Sequence, residues 1–151
     1  MLGYVATDAK VAPELLQRLA SEATQASFNS ITVDSDTSTN DSCMLVATGQ
    51  SGAEITEQNA DVFAQFKAAL MDVFLQLAHA IVRDGEGATK FVAVEVGGAL
   101  SVDEAREVAY TIAHSPLVKT ALFASDPNWG RLLAAIGLEG EDVSDWYGDA
   151  P

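Results

Sequence analysis

The order of hydrophobic patterns predicts an α/β fold, with strands and helices alternating in layers. Two observations carry this. Short β-branched or alternating runs recur between longer stretches with helical spacing, and each helical stretch opens on a capping residue or a first-turn proline. Leu2, Tyr4 and Val5 begin a first strand. Ala12-Pro13-Glu14 then opens a helix, because proline at the first turn gives up no hydrogen bond, and Leu15, Leu16, Leu19 and Ala20 form its apolar stripe. Cys43 to Thr48 reads as a second strand stopped at Gly49. From Thr56 as N-cap, Phe63, Phe66, Leu70, Phe74, Leu77 and Ile81 recur at spacings of three and four, which predicts one long helix to Arg83 with Gly85 just beyond. Phe91-Val92-Ala93-Val94-Glu95-Val96 reads as a third strand, and Ser101 with Glu104 forms a capping box for a helix through Ala113. Pro116 predicts an extended segment, with Leu117 to Ala124 as a fourth strand. Asp126-Pro127 supplies the N-cap and first-turn proline of a last helix, Asn128 to Ile136, closed by Gly137. The connections leave open whether the strands pair parallel or antiparallel.

Composition bounds the function. At 151 residues with 48% hydrophobic content and a mean hydropathy of +0.13, the chain reads as a single domain, residues 1–151, with ample core. A net charge of −14, from 22 acids against 8 bases, opposes phosphate backbones and anionic lipid, so nucleic acid and membrane surfaces are not expected partners. No apolar run reaches the about 18 residues a spanning helix needs, and Met1-Leu2-Gly3-Tyr4 has no basic leader, so the chain is expected to be cytoplasmic. Cys43 is the sole cysteine, which excludes an internal disulfide, and its apolar neighbours give it a packing role. The acidic stretch from Glu139 to Pro151 carries Trp146 and Tyr147 in no periodic context, and the first strand starts at the first residue. Both ends are expected to be cuts in a longer protein.

Residues for chemistry are few. His79 and His114 stand on helices without carboxylates or cysteines at ligand spacing, so no metal site is expected. Asp8, Asp34, Asp36 and Asp41 are better read as turn and cap acids than as a paired-acid site. No nucleophile elbow or phosphate loop is present. Three places rise above this background. The run Ser27 to Asp41 is almost wholly hydroxyl, amide and acid side chains, interrupted only by Phe28, Ile31 and Val33, as a polar strand or loop beside a site would be. Glu86 lies between Gly85 and Gly87 at the end of the long helix, where it suits ligand capture or is a solvated turn acid. Asp126-Pro127-Asn128-Trp129-Gly130-Arg131 is either an anion-attracting helix start or an ordinary capped helix with Trp129 in the core.

Four ordered stretches carry a resemblance. Met1 to Ala9, Ser27 to Asp41, Asp84-Gly85-Glu86-Gly87-Ala88-Thr89-Lys90, and Ser115-Pro116-Leu117-Val118-Lys119-Thr120-Ala121 through Asp126 to Arg131 resemble the ornithine acetyltransferase (glutamate N-acetyltransferase) family. The resemblance runs from residue 1 to about Gly137 and is to the β chain, the C-terminal product of self-cleavage in a self-processing N-terminal-threonine acyltransferase fold. It implies a ping-pong transfer of acetyl from N-acetylornithine to glutamate in arginine biosynthesis, through an acyl-threonine. That nucleophile is expected immediately before Met1 and so is absent here, and Met1 cannot replace it. The oxyanion donors are expected on the α chain, a product of the same precursor, with which the family forms an α2β2 heterotetramer. Glu86 matches the family's substrate-binding glutamate, and Thr37 to Asp41 is expected to form a pocket wall. Ser35 departs from a Val-Asp-Gly-Asp pattern in which glycine serves a tight turn. No cofactor is implied, although bifunctional members also use acetyl-coenzyme A as acetyl donor, acting as amino-acid N-acetyltransferases. The other substrate contacts are expected in a C-terminal segment beyond residue 151, and the fragment alone is expected to be inactive and poorly soluble. A reading of a different class is a catalytically silent α/β module for amino-acid binding or assembly.

Overall fold

A computed structural model of the chain describes residues 1–137. They fall into two compact units: Met1–Ile31 with Asp36–Gly85, and Thr32–Ser35 with the residues from Glu86 onward. The acidic tail with Trp146 and Tyr147 lies outside the described residues.

The first unit holds the strand and helix alternation that the hydrophobic pattern predicts. Strand β1 (Leu2–Thr7) is followed by a short β2 (Lys10–Val11), helix α1 (Pro13–Ala26), a 3-10 turn at Phe28–Ser30, strand β3 (Ser42–Ala47), a short β4 (Glu54–Ile55) and helix α2 (Ala60–Arg83). β1 and β3 pair parallel, with Leu2 opposite Ser42 and Thr7 opposite Ala47, and β2 pairs parallel with β4. Parallel pairing needs a crossover, which α1 supplies. The two-residue β2 and β4 are too short for any alternation and were not legible beforehand.

One sheet face is packed. Gly3, Val5, Cys43 and Leu45 lie on the side that meets α1 and α2, where Leu19, Ala23, Phe28, Leu70, Phe74 and Ala78 form the core. Leu70, Phe74 and Ala78 recur every fourth residue along α2, so they share one stripe. The Phe28 and Phe74 rings meet at 5.6 Å between centroids with a 57° tilt, a favourable edge-on aromatic geometry. The opposite face carries Leu2, Tyr4, Met44 and Val46, all exposed among the described residues. α2 starts three residues later than Thr56 predicted. Asn59 is its cap, its side chain accepting from Val62 N at 3.4 Å, while Thr56 closes the preceding turn by accepting from Asn59 N at 3.3 Å.

In the second unit the structure corrects the predicted fourth strand. Leu117 to Ala124 is helical: α3 (Val102–His114) is followed at once by α4 (Pro116–Phe123), then by α5 (Trp129–Ile136). Proline restricts the residue before it, and Ser115 is accordingly extended at φ −64°, ψ 117°. Its own φ suits the first helical turn, so Pro116 ends α3 and begins α4, with Ser115 Oγ capping Val118 N at 3.4 Å. An eight-residue apolar run does not by itself separate strand from helix.

The predicted third strand, Phe91 to Val96, joins neither sheet. Val94 and Val96 nevertheless pack on Val108, Ile112, Val118, Ala135 and Ile136, the core of this unit. Ser101 caps α3 as predicted, Glu104 N donating to Ser101 Oγ at 3.1 Å, but the returning Glu104 carboxylate accepts from Leu100 N, one residue before the cap, rather than from Ser101 N. The cap of α5 is Asn128 rather than Asp126, its Oδ1 accepting from Arg131 N at 3.2 Å. Asp126 N is already committed to Ala121 O at 2.9 Å and Ser125 N to Leu122 O at 3.1 Å, a Schellman closure of α4 with Ser125 at φ 57°. Trp129 is 68% exposed, so the core reading of that residue fails.

Candidate functional site

The parallel register puts the N-terminal ends of β1 and β3 side by side, and the polar run enters β3 at that end. Ser42 N donates to Met1 O at 3.1 Å. Just before it, Asn40 N donates to Ser38 Oγ at 3.1 Å and Asp41 N to Ser38 O at 3.5 Å. Serine and asparagine favour such local turns, which is why this stretch is not a strand. The turn brings the Asp41 carboxylate against the Met1 ammonium, with which it forms an ion pair. The hydrogen bond from that ammonium holds the Asp41 carboxyl below the usual carboxylate range. Beneath this corner Gly3 leaves room for Phe28: a β-carbon there would sit 3.1 Å from Phe28 Cζ and 3.5 Å from Cys43 Sγ. The first unit therefore gathers the start of β1 and an exposed turn of Ser38, Asn40 and Asp41 at one sheet end.

In the second unit, Glu86 occupies an exposed turn after α2, with Gly87 at φ 71° beside it. Its carboxylate makes no ion pair or hydrogen bond among the described residues, so it is open to a cation from solution. The residues 32–35 belong to this unit. His114 Nε2 lies 3.1 Å from Thr32 Oγ1, and Lys119 Nζ donates to Ser35 Oγ at 2.9 Å and Val33 O at 3.3 Å. Ser35 has φ 77°, so the left-handed turn is kept without glycine. Lys119 was not singled out from the sequence; the signal was one cation inside the apolar run Leu117 to Leu122. An apolar cleft of about 360 Å³ lies between residues 92–97 and the helices, and Glu95 is the one ionisable residue in its lining. It offers a packing surface rather than chemistry. No cluster of three metal-ligating side chains occurs among the described residues, and none of their helices is long and apolar enough to cross a membrane.

This arrangement can be set beside known proteins. The model of the ArgJ family matches residues 1–146. The chain belongs to the ArgJ family. Arginine biosynthesis bifunctional protein ArgJ from Pseudomonas fluorescens (strain Pf0-1) is 59% identical over 141 residues, covering 93% of this chain and 35% of that protein. The ArgJ protein of Pseudomonas syringae pv. tomato is 60% identical over 141 residues, with the same coverage. The chain thus spans about a third of the length of these relatives. The crystal structure of the ArgJ protein from Bacillus halodurans superposes with a TM-score of 0.88 at 46% identity, covering 95% of this chain and 68% of that one. The α/β architecture of the ArgJ fold is therefore present here.

Proposed function

We propose that this chain is the β-chain part of a glutamate N-acetyltransferase that moves acetyl from N-acetylornithine to glutamate in arginine biosynthesis. The observation that carries the reading is the match of the ArgJ family over residues 1–146, on a fold whose parallel register sets the residues before β3 beside the start of β1. In this reading a threonine is joined to Met1, and its hydroxyl attacks the acetyl carbonyl of N-acetylornithine. The C–N bond breaks, the hydroxyl proton passes by way of the threonine amine to the leaving amine, and ornithine departs. The amine of glutamate then attacks the acyl-threonine ester, releasing N-acetylglutamate and restoring the hydroxyl. Ser38, Asn40 and Asp41 line the approach as hydrogen-bonding wall, and the open Glu86 carboxylate pairs with the cationic side-chain amine of ornithine. The α chain of the same precursor supplies the oxyanion donors, within an α2β2 assembly. The exposed outer sheet face with Leu2, Tyr4, Met44 and Val46 supports a covering partner of this kind.

The test is acetyl transfer by the complete gene product, with N-acetylornithine and glutamate, beside its Glu86→Ala variant. Loss of a charge-assisted contact predicts a fall in kcat/KM of about 10–100-fold. Transfer untouched by Glu86→Ala would keep the enzyme and reject that residue's role. Neither self-cleavage nor transfer would favour the silent binding module. Acetyl-coenzyme A in place of N-acetylornithine, in the same assay, separates bifunctional from monofunctional activity.

A further inference from the structure

The β-branched run Phe91–Val96 rests on the core of the second unit through Val94 and Val96, yet it pairs with no strand among the described residues. Val92 to Val96 make no backbone hydrogen bond there, although valines of this kind favour sheets, so the run presents free N–H and C=O groups along its edges. The same residues form one wall of the cleft of about 360 Å³, and apolar side chains of α3, α4 and α5, among them Ile112, Val118, Leu132 and Ile136, form the other. Val92 and Leu132, which line it, are still 43% and 36% exposed. A free main-chain edge beside an apolar cleft is the arrangement that accepts an added strand: main-chain bonds hold the strand, and its alternate side chains fill the cleft.

We propose that Phe91–Val96 is a docking edge for a β-strand supplied by the part of the parent protein outside residues 1–151. The inference needs only the family membership and not the acetyltransferase reading. The chain spans 35% of the Pseudomonas fluorescens protein and 68% of the Bacillus halodurans chain on whose fold it superposes, so both relatives have further chain from which such a strand can come. The described elements from Glu86 onward are all helices, and none of them offers a strand. A second copy of this chain fits poorly: each copy carries a net charge of −14, and the one ionisable residue in the cleft lining is a further acid, Glu95. The cleft also fixes the chemistry of the occupant. It is an extended segment with apolar residues at alternate positions, because one face of the added strand meets α3, α4 and α5 while the other points away, as the exposed Glu95 does.

The experiment measures amide hydrogen exchange at Val92 to Val96 in the complete gene product and in residues 1–151, with the amides of α3 as the internal reference for folding in each. Exchange is expected to be about a hundredfold slower or more in the complete product. Fast exchange in the complete product would overturn the proposal. Equally slow exchange in both proteins would overturn it too, because no outside strand would then be needed. The occupant is identified by placing photoreactive benzoylphenylalanine at Val92 of the complete product, irradiating a mixture of isotopically light and heavy protein, and reading the linked peptides by mass spectrometry. A link within one molecule to a peptide outside residues 1–151 is the expected result. A mixed light and heavy link would show a second copy, a link to residues 138–151 would show the acidic stretch, and links to α3, α4 or α5 alone would show an empty cleft; each of these rejects the proposed strand.

Discussion

Gly3→Ala tests how tightly the start of β1 is built. The added β-carbon would lie 3.1 Å from Phe28 Cζ, 3.3 Å from its Cε2 and 3.5 Å from Cys43 Sγ, whereas carbon atoms rest at about 3.5–4.0 Å. Phe28 would have to withdraw by a few tenths of an ångström. It is 4% exposed and backed by Phe74, which is fully buried, so the ring has nowhere to go without moving α2. Overpacking of this sort costs about 1–3 kcal/mol, and replacing glycine by alanine in a strand returns about 0.5–1 kcal/mol by restricting the unfolded chain. The net expectation is a loss of about 1–2 kcal/mol, or a fall in Tm of roughly 3–8 °C. Helical circular dichroism during urea unfolding is the assay, since neither tryptophan lies in Met1–Gly85. Phe28→Leu removes the ring edge that the new methyl strikes, so the double variant should lose less than the sum of the single losses. Additive losses, or a Gly3→Ala protein as stable as wild type, would refute the packing argument.

Other expectations follow from local geometry. Ser125→Gly should stabilise the second unit by about 0.5–1 kcal/mol, because Ser125 closes α4 at φ 57°, and an unchanged urea midpoint would contradict this. Asn128→Ala removes the α5 cap and should cost about 1 kcal/mol, visible in the emission of the adjacent, exposed Trp129 during unfolding. Burial raises the Tyr110 phenol above its ordinary value of 10.0. The folded state therefore keeps the proton that the unfolded chain sheds, so stability is full below pH 10 and falls as pH rises further; Tyr110→Phe should flatten that alkaline limb in urea titrations. Residues 1–151 expressed alone should associate through Leu2, Tyr4, Met44 and Val46, and a monomer in gel filtration would count against an exposed partner face.

What the amino-acid order determined by itself was local. The α/β alternation of the first unit, the long α2, the Ser101 cap and the end of α5 at Gly137 all follow from side-chain period and from caps that act within one turn. The four matching stretches, with Glu86 among them, were legible for the same reason, as contiguous residues. Tertiary structure decided everything that depends on residues far apart in the chain. The parallel register of β1 with β3 brought Met1 to Asp41, forty positions away. Leu117 to Ala124 became a helix because its apolar residues meet α3 and α5, a choice that eight residues cannot make from period alone. Ser35 keeps a left-handed turn, and Lys119, 84 positions later, reaches its hydroxyl. Hydrogen bonds within a turn are written in neighbouring residues, whereas those across the fold exist only once packing has brought their partners together.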